Sequence, residues 1–134
     1  MNKGINAVIE NSQSELLVLK RSDRDTKFYP GYWNFPGGSV RRYEELLDAV
    51  KRETKEETNL EIEPDNEYFA VYYYPDGKEE NAKAAVYAFK AKIVGGAIQL
   101  DKDHSEYKWI SKNDWQELSY TPSCEAVLRV LFDE

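Results

Sequence analysis

Glu53, Glu56 and Glu57 stand at i, i+3 and i+4 within the stretch Gly37 to Leu60, GGSVRRYEELLDAVKRETKEETNL. On an α-helix that spacing sets three carboxylates on adjoining turns of one face. With Leu46 as origin and about 100° per residue, Leu46, Val50, Glu53 and Glu57 share a narrow stripe, flanked by Ala49 and Glu56 on one side and Leu47 and Thr54 on the other. Glu45, Asp48, Lys51 and Lys55 cover the opposite, solvated side. The apolar face is therefore shared by carboxylates. A carboxylate shielded from water needs a hydrogen-bonded partner, a counter-charge or a metal, or else it takes up a proton. A divalent cation reconciles three like charges this close, and an all-oxygen donor set favours hard ions, Mg²⁺ first and Mn²⁺ second. An ordinary charged helix would pair its glutamates with Lys51 and Lys55 at i to i+4 spacing. The inward phase and the Gly37-Gly38 entry favour a metal-binding catalytic helix instead.

The rest of the chain supplies elements to position that helix. Gly4 to Glu10 and Glu15 to Lys20 are apolar, β-branched runs around a polar turn and read as a hairpin. Arg21 to Tyr32 reads as an ordered loop ending in Pro30-Gly31, with Lys20, Arg21, Arg24 and Lys27 clustered in an otherwise acidic protein. A guanidinium fork suits phosphate, so Arg21 and Arg24 are candidate substrate contacts, against the alternative of a solvated loop with scattered charge. Trp33 to Phe35 is a short strand. Ile62 to Asn66 reads as a connection, and Glu67 to Tyr74 as an aromatic strand in which alternation sets Tyr73 opposite Tyr72 and Tyr74. Tyr74, at the strand end, either stacks on a base or packs. Ala82 to Lys92 is a further strand between the charged turn 76–81 and Gly95-Gly96.

Asp101 to Glu106 is a second place where chemistry could reside, just before a short strand at Tyr107 to Ile110. His104, the single histidine, reads either as a base near neutral pH or as an exposed loop residue. Pro122 to Phe132 carries Ala126, Val127, Val130 and Leu131 at helical spacing and should cover the other face of the sheet.

A chain of 134 residues, 1–134, suits one domain with a single core. The formal charge of −7 disfavours a nucleic-acid polymer, whose phosphates need Lys and Arg, but suits a small nucleotide brought in by cations. One cysteine, Cys124, excludes an internal disulfide and reads as a packed small hydrophobe. No apolar signal segment or membrane-length run is present, so a cytoplasmic protein with no membrane partner is expected, as a monomer or homodimer.

Gly38, Glu44 and Arg52-Glu53-Thr54-Lys55-Glu56-Glu57-Thr58-Asn59-Leu60, with the lead-in Trp33-Asn34-Phe35-Pro36-Gly37-Gly38, resemble the signature of the Nudix hydrolases, MutT-like in form. Thr54 replaces the usual larger aliphatic, and Asn59 the usual Gly; Asn still tolerates the left-handed conformation that ends a helix. The resemblance implies an α+β fold, an α/β/α sandwich with a mixed β-sheet between helices. It implies Mg²⁺ held by Glu53, Glu56, Glu57 and the Gly37 carbonyl, with Glu44 and Arg52 orienting the loop and the glutamates. It also implies that an acidic loop residue completes the metal site or serves as base, nominating Glu106 and then Asp103. The expected reaction is hydrolysis of a pyrophosphate bond in a nucleoside diphosphate linked to X, foremost a nucleoside triphosphate giving NMP and pyrophosphate, with Glu53 or Glu106 taking the proton. ADP-ribose or a nucleotide sugar is the alternative substrate. A non-catalytic nucleotide-binding module and a structural domain with an incidental acidic helix are the alternatives of other classes.

Overall fold

The computed structural model describes residues 1–23 and 28–132, so Arg24 and Lys27 lie outside the described residues. The elements run β1 (Asn2–Ile9), β2 (Leu16–Arg21), β3 (Trp33–Asn34), β4 (Gly37–Ser39), α1 (Leu46–Thr58), β5 (Glu61–Pro64), β6 (Ala70–Tyr74), β7 (Ala84–Gly95), β8 (His104–Ile110) and α2 (Pro122–Phe132). β7 is the spine of the larger sheet: β1 runs parallel along one edge, with β4 antiparallel beyond it. β5 and β6 pair in turn with the two halves of its other edge. β3, β2 and β8 form a second, antiparallel sheet.

The two helices cover opposite faces. Ile5, Ala7, Ile9, Leu17, Leu19 and Phe89 pack with Ala49 and Val50 of α1, while Val8, Val18, Trp33, Phe35 and Ile110 pack with Cys124, Val127 and Leu128 of α2. This is the expected α/β/α sandwich, with a mixed sheet between helices. The single core expected from length is divided by the sheets into two layers.

That division explains why β1 and β2 do not form the expected hairpin. Both strands are buried on both faces, so their pattern is a continuous apolar run without period-2 alternation. They meet only at the Glu10↔Leu16 bridge beside a turn held by the Asn11 side chain, then diverge into different sheets. The second departure is β5. Glu61–Pro64 is a strand and not a connection, since Ile62 and Pro64 turn inward while Glu61 and Glu63 face out, and its edge position tolerates a proline. Among the described residues, no helix is long and apolar enough to cross a membrane.

Candidate active site

α1 begins at Leu46, so Gly37–Ser39 forms β4 and the signature is strand, loop and helix in succession. Asn59 ends the helix in the left-handed region, at φ 64°, with its N–H donating to the Lys55 carbonyl. Between these limits the wheel holds: Ala49, Val50, Thr54 and Thr58 are buried, and Glu45, Asp48, Lys51 and Lys55 are exposed.

Glu53 and Glu57 come to rest against β4. The Gly37 N–H donates to Glu57 Oε1 at 3.0 Å. A Cβ on Gly37 would collide with the Ile5 carbonyl, so that position requires glycine, and one on Gly38 would displace the Glu53 carboxylate.

Arg52 is the hub of this arrangement. Its Nε and Nη2 donate to the two Glu44 oxygens at 2.7 and 2.9 Å, Nη1 donates to Glu53 Oε1 at 2.8 Å and to Glu56 Oε1 at 3.2 Å, and Nη2 also reaches the Ser39 carbonyl at 3.1 Å. One guanidinium thereby ties three carboxylates to the β4 turn, a task a lysine's point charge could not perform. The Arg52 hydrogen bond, seconded by the Arg41 N–H, holds the Glu44 carboxyl down at about 2.

Burial acts the other way on the inner pair. The Glu53 carboxyl is raised by desolvation despite Arg52, and that of Glu57 is raised well above the usual range by desolvation, only partly countered by the Gly37 N–H. Glu56 differs: its side chain is 49% exposed against 15% for Glu53, and it borders the site from the solvent side, within reach of Arg41 at 3.8 Å.

The loop before β8 contributes a group the sequence reading did not nominate. Asp101 donates its N–H to the Glu57 carbonyl at 3.2 Å, its carboxylate lies 2.8 Å from His104 Nδ1, and ligand atoms of Glu57, Asp101 and His104 all lie within 4.8 Å of one another. His104 is 8% exposed, which sets aside the reading as an exposed loop residue, because β8 starts there. Its register explains its aim. Lys20 pairs with Glu106 and Arg21 with His104, so Ser105 is an extra residue, and a bulge of this kind turns the side chain before it toward the opposite face.

The same register places Glu106, the nominated loop carboxylate. Alternation along β8 sets it with Ile110 on the α2 face, away from Glu57, where it is exposed and ion-paired with Lys20 at 3.5 Å. Asp103 instead gives its carbonyl to the Ser22 N–H. The Asp-x-x-His spacing of a turn was the one signal that could have singled out Asp101 and His104.

On the α2 face a cleft of about 360 Å³ opens beside β4, lined by Asn6, Arg21, Asn34, Gly37, Tyr74 and Ser123 among others. Two sequence candidates, Arg21 and Tyr74, thus meet at one cavity with Gly37. The Arg21 Nε donates to the Phe28 carbonyl at 2.9 Å, and the Tyr74 hydroxyl accepts the Ser123 N–H at the start of α2 at 3.1 Å. Tyr72 and Tyr74 share a face, with ring centroids 4.9 Å apart.

The oxygen-rich donor set, the buried Glu57 carboxylate held only by a backbone N–H and the glycine-cleared space in front of Glu53 fit a divalent cation. α1 packs against β4, which also lines the cleft, and the comparisons with known proteins supply the class. The NUDIX domain model matches residues 2–129, and the chain belongs to the Nudix hydrolases. It is 25% identical over 114 residues to the nucleoside triphosphatase NudI of Klebsiella pneumoniae (strain 342), covering 80% of this chain and 79% of that protein. The MutT protein of Methanosarcina mazei Go1 superposes with a TM-score of 0.80 at 26% identity, over 98% of this chain and 92% of that one. An ADP-ribose pyrophosphatase of Streptococcus suis 89-1591 shares the fold, with a TM-score of 0.68 at 21% identity, over 90% and 79%. The protein is a pyrophosphohydrolase acting on nucleotide-like substrates.

Proposed function

We propose that the protein hydrolyses nucleoside triphosphates to nucleoside monophosphate and pyrophosphate, using Mg²⁺, with Mn²⁺ as a substitute. The observation that carries this reading is the double role of Gly37, which lines the cleft and holds Glu57 by its N–H. A nucleotide bound in the cleft and extending past β4 would bring its phosphates toward the carboxylates. The resemblance of the whole chain to a nucleoside triphosphatase supports the choice of substrate.

Glu53, Glu56 and Glu57 would hold the cation, which when bound polarises phosphoryl oxygens and lowers the pKa of a water. Arg52 fixes Glu53 Oε1 and leaves Oε2 to accept the proton of the attacking water. Water oxygen bonds to phosphorus, the anhydride P–O bond breaks, and pyrophosphate leaves. Arg21 at the mouth of the cleft meets the phosphates, and Tyr74 flanks the base.

The test is product analysis with Mg²⁺ and then Mn²⁺ across nucleoside triphosphates, ADP-ribose, nucleotide sugars and dinucleoside polyphosphates. Pyrophosphate and monophosphate from a triphosphate support the reading. Turnover of ADP-ribose or a nucleotide sugar alone would move the substrate, and silence across the panel would favour a non-catalytic nucleotide-binding module.

A further inference from the structure

The polar side chain at the inner end of the cleft has no role in the chemistry above. Asn6 is 4% exposed, lines the cleft, and its Nδ2 has no hydrogen-bond partner among the described residues. A buried donor left unpaired costs stability, and such groups are few in folded proteins. An apolar residue would fit the strand better: β1 is otherwise filled here with Ile5, Ala7, Val8 and Ile9.

The surroundings account for one end of the amide and leave the other unpartnered. Asn6 pairs in register with Gly37, and its Oδ1 lies where a Cβ of Gly37 would be, so Nδ2 is the end without a partner. Gly4, Ala84 and Val86, on the same face of β1 and β7, form a floor of small side chains in front of it. Tyr74, in register with Ala84, stands at the side of that floor, and a planar ring can lie on it. The described residues lining the cleft include Lys3, Arg21 and Ser123 but no Asp or Glu, in a chain whose net charge is −7. The cleft offers donors and lacks carboxylate acceptors.

We propose that Asn6 is the base-reading residue of this cleft, donating from Nδ2 to a carbonyl oxygen of the nucleobase and so selecting oxo-bases over their amino counterparts. The inference rests on the reading of the cleft as a nucleotide site. An amino-base of the same shape would bring its NH₂ against Nδ2 and leave two buried donors facing each other, the kind of mismatch a hydrogen-bonding site rejects most strongly.

The test measures the affinity of the full chain for two matched pairs of mononucleotides, UMP against CMP and IMP against AMP, by calorimetry. Within each pair a carbonyl is exchanged for an amino group on the same ring. The expected result is tighter binding of the oxo member by about tenfold or more in both pairs. In Asn6→Leu that ratio should fall to within about twofold, with a melting temperature at or above the parent's because an unpaired amide is removed. Asn6→Asp, which accepts where Asn6 donates, should reverse the preference and serves if the leucine variant does not fold. Equal affinities within a pair, a ratio that survives in both variants, or no mononucleotide binding at all would overturn the proposal. Discrimination that persists while no triphosphate is hydrolysed would sink the pyrophosphatase reading and leave the role of Asn6 standing. Hydrolysis without discrimination would do the reverse.

Discussion

The two faces of the central layer treat their site-lining polar groups differently, although Thr54 Oγ1 inside α1 and Thr121 Oγ1 before α2 are also buried without a partner. On the α1 face, Glu44, Glu53, Glu56, Glu57 and His104 are all held by partners within the chain, through Arg52, the Gly37 N–H or Asp101. On the α2 face, the Asn6 amide nitrogen is buried at the wall of a cleft without a partner among the described residues. The difference follows the division of labour in a hydrolase. Groups that stabilise a developing charge work best when fixed before the substrate arrives. Groups that choose a substrate must leave their last hydrogen bond for it to make.

Substitutions on the fixed face should separate by how deeply each group is tied in. Glu57→Gln should have the largest effect, on the order of 10²- to 10³-fold or more in kcat, since it removes a buried ligand from a cation that stabilises the reaction by several kcal/mol. Its fold should persist, because the amide no longer needs a counter-charge, and circular dichroism at equal temperatures would check this. Arg52→Lys keeps the charge but loses the two-pronged grip on Glu44 and the bridge to Glu53, and should lower kcat/KM by about 10- to 100-fold, as losses of supporting groups around metal ligands do. Asp101→Asn should fall at the lower end of that range, through misplacement of His104 and of the loop at the end of α1. Glu106→Gln should be nearly silent, within about threefold, because an exposed pair with Lys20 contributes about 0–1 kcal/mol. A large loss in Glu106→Gln alongside a mild one in Asp101→Asn would reverse the assignment made from the β8 register.

The same network predicts opposite responses to pH. Glu44 has a folded pKa of about 2, below its ordinary 4.5, so its contribution to stability is present above 4.5 and is lost as pH falls toward 2. Acid unfolding of Glu44→Gln should lack that component. Glu57 is shifted upward by burial, so without a cation its ionisation makes the native state less stable as pH rises through its folded pKa. Cation and proton compete for it, and apparent Mg²⁺ affinity should therefore rise with pH.

The helix was legible in the sequence because its chemistry and its packing share one period. The phase of Ala49 and Val50 states which way Glu53 and Glu57 point, and Asn59 marks the end. Glu56 was legible only as a neighbour, since its exposure depends on where β4 passes. The sheets were less readable: Ile5 to Ile9 and Leu16 to Leu19 are buried on both faces, and uniform burial erases the alternation that would tell a hairpin from two separate strands. The faces taken by His104 and Glu106 were not legible for a related reason. A single inserted residue, Ser105, turns one toward α1 while the other stays on the α2 face, and no local pattern announces a bulge. Asn6 could not be singled out at all, because its significance lies in what it fails to touch.

The most direct test of the central claim, that the buried carboxylates of α1 form a divalent-cation site, is the melting temperature of the parent and of Glu57→Gln with and without Mg²⁺ at constant ionic strength. A cation bound to the native state at a hundredfold excess over its Kd adds about 2.7 kcal/mol, or ~5–10 °C for a chain of this size. The parent should show that rise and the variant should lose most of it. No rise in the parent, or an equal rise in both, would contradict the account.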